Sequence, residues 1–304
     1  MPSAPTLSHA LATLMDDLAR QDNPAGALYV VATPIGNTAD ITLRALNILA
    51  LVDAVACEDT RNTGHLLARY GLQKTLIAAH QHNEREVAAR LIERLQAGQR
   101  IALVSDAGTP AISDPGARIV DAVRSAGLRV IPIPGASAAI TALSASGLLD
   151  AHFHFAGFLP AKAAQRNAVL QPLRTLAATL VLYEAPHRIS ETVAALQDNF
   201  EPTRQVVFGR ELTKRFEEIH RCTIGEAGAW LAADPHREKG EFVLLVAGAT
   251  EAPDADRNEA DRVLAILMAE CPLKQAASLT AQITGQKKNA LYERALVLRN
   301  ALGD

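Results

Sequence analysis

The fold is decided by the stretch RIALVSDAGTPAISDPGARIVDAVRSAGLRVIPIPGASAA, residues 100–139. It opens on an apolar run, passes through a loop of turn residues, continues as an amphipathic segment that ends at Gly127, and closes on a second apolar run. A run that is apolar throughout is typical of a strand buried on both faces of a parallel sheet. A glycine after an amphipathic segment is typical of a helix C-cap. The stretch therefore predicts a strand, a helix and a second strand parallel to the first.

The same alternation extends back through the first half of the chain, where amphipathic segments separate short apolar runs. Strands are predicted at 27–33, 53–58, 76–80, 100–106 and 129–135. Strands that alternate with helices along the chain are typical of an α/β fold with a parallel sheet. We expect residues 27–150 to form an N-terminal α/β domain.

The second half of the chain has fewer helices for the same number of strands. Apolar runs follow at 152–160, 178–186, 204–212, 215–223 and 240–249, with only three helical stretches between them. Some neighbouring strands must then be antiparallel, because a parallel pair needs a long crossover connection. We expect residues 151–250 to form a C-terminal α/β domain, with a ligand cleft between the two domains.

The two ends of the chain lie outside this pattern. Residues 1–26 lack the basic and apolar regions of a signal peptide, and we expect them to be a mobile N-terminal extension or a loose helix. Residues 251–304 open as an acidic linker and continue as a helix-turn-helix-like tail. Lys287 and Lys288 stand at the start of the last helix and favour phosphate contact. The alternative is that the tail is only a small helical cap on the dimer or the core, and the sequence supports it about as well.

Composition excludes several classes of protein. The chain has 304 residues, 49% of them hydrophobic and 21% charged, which excludes disorder and suggests about two self-supporting domains. A net charge of -3 means that any contact with nucleic acid must be a local patch. Three scattered cysteines indicate no disulfide framework, so we expect a cytoplasmic protein. The uncharged run 131–149 contains prolines and glycines, and it predicts a strand, turn and helix instead of a membrane span.

The loops that follow the strands carry the chemistry, because ligands of open α/β sheets bind at the carboxyl ends of the strands. Gly108 and Gly135 permit a close approach of the backbone to a ligand. Neither a phosphate-binding loop nor a dinucleotide-binding turn is present, which argues against a nucleoside triphosphatase and a Rossmann dehydrogenase. The histidine pairs His80/His82 and His152/His154 lack a third ligand at metal spacing, and we expect no metal.

Seven motifs in order resemble a known family. VATPIGN, EDTR, DAGTPAISDPG, PGASA, FAGFLP, YEAPHR and GRELTK are similar to motifs of the tetrapyrrole methylase superfamily, and specifically of its ribosomal RNA small subunit methyltransferase I branch. The resemblance covers residues 27 to about 250 and continues into the tail. Porphyrinoid-modifying members carry a Gly-Asp-Pro turn where this chain has AGTP, residues 107–110, which favours the RNA branch.

The resemblance implies a homodimer that binds S-adenosylmethionine between its domains. It also implies methyl transfer to the ribose 2′-hydroxyl of a cytidine in the 16S rRNA of the small ribosomal subunit. For Asp106 a role in shaping the turn is an open alternative, and Tyr183 can be read as a core residue. The residues implied to bind the cofactor are Pro34, Asp106, Ala107, Gly108, Thr109, Pro110, Ile112, Ser113, Asp114, Ser137, Tyr183, Glu184, Ala185, Leu212 and Phe242.

Charged residues in the loops are candidates for catalysis and for RNA contact. A ribose hydroxyl needs a base or a nearby cation to react at neutral pH, and Glu58, Arg61, Glu184 and Arg188 are the candidates, with Glu211 or Lys214 as the alternative base. Each carboxylate beside an arginine can equally be a structural ion pair. Phe158 is the aromatic side chain best placed for base stacking. Predicted RNA contacts are Arg44, Lys162, Arg166, Lys214, Lys287 and Lys288.

Two other functions fit parts of this pattern. A methylase of a small corrinoid or porphyrin would share the fold and the cofactor, but it would need neither the tail nor a basic rim. A ribosome-assembly factor that binds S-adenosylmethionine without catalysis would keep the cleft and show no turnover.

Overall fold

The computed structural model describes residues 7–80, 83–249 and 255–301. Helix α1 (Leu7–Ala19) lies in the N-terminal extension, whose mobility stays a prediction. The described residues up to Gly248 form one compact unit, and those from 255 onwards belong to a second. The expected linker is only partly described, because residues 250–254 lie outside these ranges.

The first sheet is parallel, as predicted. Its strands β1 (Ala27–Val31), β2 (Ala54–Cys57), β3 (Thr75–Ala78), β4 (Ile101–Val104) and β5 (Arg129–Ile133) lie in the order β3-β2-β4-β1-β5. Helices α2 (Leu43–Leu51), α3 (Thr60–Arg69), α4 (Glu84–Gln96) and α5 (Ala117–Ser125) connect these strands. Leu28 and Tyr29 are both fully buried, in the separate apolar clusters on the two faces of the sheet. Burial on both faces explains why these strands are apolar throughout.

The second sheet is mixed, which confirms the expectation of antiparallel neighbours. Its strands β6 (Phe153–Phe158), β7 (Thr179–Glu184), β8 (Gln205–Arg210), β9 (Glu218–Thr223) and β10 (Phe242–Val246) lie in the order β6-β7-β10-β8-β9. Among these described strands, only β6 and β7 pair in parallel. Helices α7 (Ala163–Leu170), α8 (Ile189–Asn199) and α9 (Ile224–Ala232) complete this half.

Helix α6 (Ala138–Ser146) joins the two halves. It follows the last strand of the first sheet, yet its buried residues Ala139 and Ala142 pack on Val181, Val207 and Val243 of the second sheet. The chain between the sheets is therefore itself part of the core. The domain boundary at residue 150 stays a prediction.

The second unit consists of helices α10 (Ala255–Glu270), α11 (Leu273–Thr284) and α12 (Lys288–Ala301). Helix α11 ends at Gly285, whose φ of 71° is the left-handed conformation expected of a glycine C-cap. The helices enclose their own core, built from Ala260, Leu264, Ala276, Ala277, Leu291 and Ala295. This unit thus has apolar packing of its own.

Candidate functional site

A cavity of about 340 Å³ lies between the carboxyl-edge loops of the first sheet and the second sheet. The first sheet contributes Ile35, Asp106, Ala107, Gly108, Thr109, Ile112, Asp114, Ser137 and Ala138. The second contributes Phe158, Tyr183, Glu184, Ala185, Pro186, Gly209, Leu212, Lys214, Glu241, Phe242 and Val243. The volume is within the usual range of small-molecule sites.

Most of the residues predicted to bind a cofactor line this cavity. Asp106, Ala107, Gly108, Thr109, Ile112, Asp114, Ser137, Tyr183, Glu184, Ala185, Leu212 and Phe242 do so. Pro34 and Pro110 are buried beside it, and Ser113 is exposed in the loop between two lining residues. The structure thus brings together the loops that the sequence singled out.

Backbone hydrogen bonds join three of these loops. Thr33 and Gly108 exchange both of their backbone hydrogen bonds, with N···O distances of 2.9 and 3.1 Å. The Thr109 hydroxyl donates to the carbonyl of Ala136 at 3.1 Å. Gly108 has a φ of 76°, which residues other than glycine rarely adopt, and it lies against Ile35. The loops after β1, β4 and β5 therefore form one wall of the cavity.

Backbone strain is concentrated in the two loops that flank the cavity. Within the described residues, positive φ outside glycine occurs at Ala111, Ser113, Glu211 and Thr213, with values of 66°, 64°, 50° and 64°. Such conformations persist where the surrounding structure enforces them, and they are common at ligand sites.

The loops of the two sheets touch on one side of the cavity. The Asn37 backbone N–H donates to Thr213 Oγ1 at 3.0 Å. Gly36 is packed so tightly that a β-carbon there would stand 2.5 Å from Cγ of Lys214. The glycine of the VATPIGN motif is thus required by this close approach.

The EDTR motif supports the cavity from outside it. Asp59 caps α3 by accepting from the N–H groups of Arg61 and Asn62, and these bonds lower the pKa of its carboxyl. Asp106 accepts from the Asp59 N–H at 3.3 Å and from Asn62 Nδ2 at 2.8 Å. These hydrogen bonds agree with the alternative interpretation of Asp106, in which it shapes the loop.

Two of the catalytic candidates come from this motif, and neither lines the cavity. Arg61 is 87% exposed and lies 3.6 Å from the Asp59 carboxylate. Glu58 is half-buried, and its pKa is raised by burial and by the charges of Asp106 and Asp59. Both residues stand behind the loop that Asp106 ties down.

Asp114 is a cavity carboxylate with a raised pKa. Burial raises its pKa from the ordinary value to about 6, the charges of Glu58 and Asp106 add to this, and a hydrogen bond from Ser105 opposes it. A group with such a pKa is mostly ionised at pH 7 and can still accept a proton.

Glu184 and Arg188 belong to a buried network under the loop after β7. The Glu184 carboxylate accepts from the Thr192 hydroxyl at 2.6 Å and from the Ala185 N–H at 2.8 Å. Its side chain is fully buried and lies 3.3 Å from Arg188 Nε. Arg188 also donates to the carbonyl of Leu159. Both carboxylate oxygens of Glu184 accept hydrogen bonds and one of them pairs with Arg188, which corresponds to the structural ion pair considered from the sequence. Arg188 Nε itself is buried without a hydrogen-bond partner among the described residues.

Lys214 is held at the cavity by two carboxylates. Its Nζ lies 2.8 Å from Glu211 Oε1 and 2.8 Å from Glu241 Oε2. Burial opposes the charged form, but these hydrogen bonds outweigh it and raise the pKa of Lys214. Burial is likewise the largest influence on Glu211, but the hydrogen bonds from Lys214 and from the Glu241 N–H, with the charges of Lys214 and Arg210, together outweigh it and lower the pKa of Glu211. Both shifts disfavour the two residues as proton acceptors at neutral pH.

The other residues predicted to contact RNA are scattered. Lys162 is exposed just before α7, Arg44 is half-buried on α2, and Lys287 and Lys288 are exposed at the start of α12. Arg166 differs, because its side chain is only 5% exposed and pairs with Glu191 at 3.2 Å. Its side chain is buried in an ion pair, which disfavours the RNA contact predicted for it.

The structure adds lining residues that the motifs did not single out. They are Ile35, Ala138, Pro186, Gly209, Glu241 and Val243. All but Glu241 and Val243 lie inside or next to a quoted motif, so proximity was the available signal. Glu241 and Val243 lie outside the motifs, but they flank Phe242, which the resemblance had implied as a cofactor residue, at the start of the central strand β10.

The described residues offer neither a metal site nor a membrane-spanning helix. Among them, no three His, Cys, Asp or Glu side chains are grouped so that they could hold a metal ion, and His82 lies outside the described ranges. Across the same ranges, every helix is too short or too polar to span a bilayer.

Comparison with protein families gives two matches. Residues 27–228 match the family described as Tetrapyrrole (Corrin/Porphyrin) Methylases. Residues 254–299 match the RsmI C-terminal HTH domain, which agrees with the helix-turn-helix-like interpretation of the tail.

Individual proteins are similar over most of the chain. A Pseudomonas aeruginosa protein named Ribosomal RNA small subunit methyltransferase I is 50% identical over 275 residues, which cover 90% of this chain and 97% of the relative. A crystal structure of uroporphyrin-III-C-methyltransferase from Thermus thermophilus has a TM-score of 0.53 at 23% identity, covering 73% of this chain and 94% of the other. A Thermus thermophilus uroporphyrin-III C-methyl transferase complexed with S-adenyl homocysteine has a TM-score of 0.50 at 18% identity, covering 73% and 97%. The two structures share the fold.

Proposed function

Because the chain belongs to the tetrapyrrole methylase family, and within it to the ribosomal RNA small subunit methyltransferases I, we propose that it methylates 16S rRNA of the small ribosomal subunit with S-adenosylmethionine. The acceptor we propose is the ribose 2′-hydroxyl of a cytidine. The observation that carries the proposal is the 50% identity to a relative of that name over 90% of the chain.

The cavity suits S-adenosylmethionine by its charge. Asp106, Asp114, Glu184 and Glu241 line it, and of these Glu184 pairs with Arg188 and Glu241 with the lining cation Lys214, which leaves Asp106 and Asp114 as the excess negative charge. S-adenosylmethionine carries a positive sulfonium and a positive ammonium group, which an excess of carboxylates favours. A triphosphate would be repelled by the same groups. The cofactor residues predicted from the resemblance are those we propose to hold it, with Pro34, Pro110 and Ser113 shaping the loops.

When bound, S-adenosylmethionine supplies a methyl group on sulfur that a nucleophile can displace. The protein's part is to align the hydroxyl and to exclude water. One wall of the cavity is apolar and consists of Ile35, Leu212, Phe242 and Val243. Leu212 and Phe242 are buried. Main-chain groups of the joined loops provide the remaining polar contacts.

We propose that the Asp114 carboxylate accepts the proton of the ribose 2′-hydroxyl. This carboxylate lines the cavity, and its pKa of about 6 lies near the range that favours a general base at neutral pH. With the cofactor bound, the 2′-oxygen would give its proton to the Asp114 carboxylate as its bond to the methyl carbon forms and the methyl–sulfur bond breaks, which would leave S-adenosylhomocysteine. The alternative for Asp114 is the role of cofactor ligand predicted from the resemblance.

The remaining catalytic candidates support this arrangement indirectly. Glu184 and Arg188 hold the loop after β7, with the chain at Leu159, so we propose that they position the cavity wall. Arg61 extends outward from the rim, which suits a phosphate contact of the RNA. Glu58 adds negative charge behind Asp106 and Asp114 and helps to raise the pKa of Asp114.

RNA approaches through local positive groups. Lys162, Lys287 and Lys288 are exposed, as such contacts require, and Arg44 is half-buried. The chain has few aromatic residues, 4% in all, so phosphate and shape contacts dominate. A folded particle is therefore the substrate we propose, in preference to free strand.

We also propose a homodimer in the cytoplasm. Ile140 and Leu149 are 53% and 97% exposed, and large apolar side chains of this kind are often covered in oligomers. The cytoplasm follows from the proposed substrate. Analytical ultracentrifugation tests the dimer, and a monomer at micromolar concentration would contradict it.

One assay separates this function from its rivals. Tritiated S-adenosylmethionine is incubated with the protein and, in parallel, small ribosomal subunits that lack the modification, naked rRNA, or a corrinoid precursor. We expect label in the RNA of the subunits. Label in the corrinoid would indicate a small-molecule methylase, and bound cofactor without label anywhere would indicate an assembly factor.

A further inference from the structure

We propose that Phe158 is the stacking platform for the base of the target nucleotide, at the mouth of the cavity. This assignment rests on the proposed function, since it says where the base of the methylated nucleotide binds. The base of a nucleotide whose ribose enters the cavity must leave the RNA stack, and an aromatic ring can replace the stacking energy that is given up.

A β-bulge turns Phe158 towards the cavity. In the pairing of β6 with β7, Phe155 is opposite Val181 and Phe158 is opposite Tyr183, with a register shift between Phe155 and Gly157. Phe158 therefore lies on the same face of the sheet as Phe155, although the two are three positions apart along the chain. Bulges re-aim side chains in this way and are frequent beside active sites.

The ring of Phe158 is exposed where a ligand can reach it. Among the described large apolar residues that are exposed, Ile112 and Phe158 are the two that line the cavity, at 45% and 53% exposure. An exposed aromatic ring at a cavity wall is open to stacking, whereas a core ring is covered.

The orientation of the ring is fixed by its neighbours. Phe158 packs edge-to-face on Tyr183, with ring centroids 5.7 Å apart and an interplanar angle of 67°. Phe155 packs on Tyr183 in the same manner at 5.1 Å. The Tyr183 hydroxyl accepts from the N–H of Ala139 at 3.2 Å, which anchors it to α6. A ring held in this way loses little conformational freedom when a base stacks on it.

Charge decides which part of a nucleotide the mouth of the cavity accepts. The carboxylates of Asp106, Asp114 and Glu241 disfavour a phosphate there, but they do not oppose a neutral base. Lys162 is exposed four residues after Phe158, outside the set of lining residues, where it suits a flanking phosphate. The base is thus the group that fits the ring.

Variants of two phenylalanines on one strand test the assignment. Phe158→Leu keeps an apolar side chain and removes the ring, Phe158→Tyr keeps the ring, and Phe153→Leu is the matched control because Phe153 is 50% exposed on β6 and does not line the cavity. Methyl transfer to unmodified small subunits gives kcat/KM, and calorimetry gives the affinity for S-adenosylmethionine.

We expect Phe158→Leu to lower kcat/KM for subunits by about tenfold or more, within the range measured for removal of one base–aromatic stack. Cofactor affinity should stay unchanged, which also shows that the variant is folded, and the other two variants should behave as the wild type. Full activity of Phe158→Leu overturns the assignment. So does a loss of cofactor affinity in this variant, since the ring would then contact the adenine. If the wild type labels no RNA, the proposed function itself fails and the assignment falls with it.

Discussion

Ser113 and Gly157 meet beside the cavity, so closely that a β-carbon on Gly157 would stand 2.8 Å from Ser113 Oγ. Both residues have a φ of 64°, and they belong to the loop after β4 and to the bulged strand β6. The two halves of the site thus approach each other here as well as at Gly36 and Lys214. The separation of the cavity walls is set by contacts that leave no room for a methyl group.

Gly157→Ala should damage the site through this contact. The new methyl group clashes with Ser113 and forces an unfavourable backbone conformation, so we expect a lower melting temperature and weaker cofactor binding. Gly71→Ala is the matched control, because Gly71 has a φ of 72° and open space around it. Equal loss of cofactor affinity in both variants would show that backbone strain alone, without the contact, explains the effect.

Gly108→Val should abolish cofactor binding while the protein stays folded. Gly108 lines the cavity with a φ of 76°, and the valine side chain would meet Ile35 and crowd the ligand. Ser137→Trp, which fills the cavity from another loop, should act in the same way. Gly127→Val is the control, with a φ of 74° and no neighbour within 4 Å. If calorimetry gave wild-type affinity for both cavity variants, S-adenosylmethionine would not bind in this cavity.

Asp114→Asn should separate catalysis from cofactor binding. If Asp114 accepts the hydroxyl proton, kcat falls by about a hundredfold or more and the dissociation constant of S-adenosylmethionine changes little. For the wild type, kcat should rise with pH up to about 6 and then level off, as the carboxylate ionises. A variant with unchanged kcat and weakened cofactor binding would instead make Asp114 a cofactor ligand.

The same substitution should stabilise the protein without ligand at neutral pH. The folded pKa of about 6 lies above the ordinary value of 3.8, so the carboxylate costs stability once pH rises through this window. Asparagine removes that cost, which we put at about 1–2 kcal/mol after solvent screening. The gain in melting temperature should be full above pH 6 and vanish below pH 3.8. An equal gain at all pH values would contradict this origin.

Lys287→Ala combined with Lys288→Ala should weaken capture of small subunits and leave cofactor affinity intact. Both residues are exposed in the second unit, and removing one phosphate contact reduces the slope of log affinity against log salt by about 0.7–0.9. Arg90→Ala, an exposed cation on α4, is the control. An unchanged salt slope in the double variant would favour the interpretation of the tail as a helical cap.

Sequence patterns predicted the framework of this protein because burial imposes them directly. Leu28 and Tyr29 occupy opposite faces of the first sheet, both faces are covered, and the strand must therefore be apolar at every position. The loops at the strand ends were predictable for the same reason, since turn residues such as Gly108 interrupt that pattern.

The roles of individual charged side chains were not predictable, because they depend on partners distant in sequence. Glu184 was a catalytic candidate by its motif, but Thr192 and Arg188 of the same buried network occupy its oxygens. Arg166 was a predicted RNA contact because it is basic, but its side chain is buried against Glu191. Glu241 carries no motif and reaches the cavity only because β10 lies at the centre of the second sheet.

Transfer of a methyl group from this cavity to a ribose oxygen of small-subunit RNA can be measured directly. After reaction of unmodified small subunits with labelled S-adenosylmethionine, the 16S rRNA is digested to nucleosides and the labelled product is identified by mass spectrometry. We expect 2′-O-methylcytidine with the wild type and no labelled nucleoside with Gly108→Val. Label on a base, on another nucleoside, or in the Gly108→Val reaction would contradict this expectation.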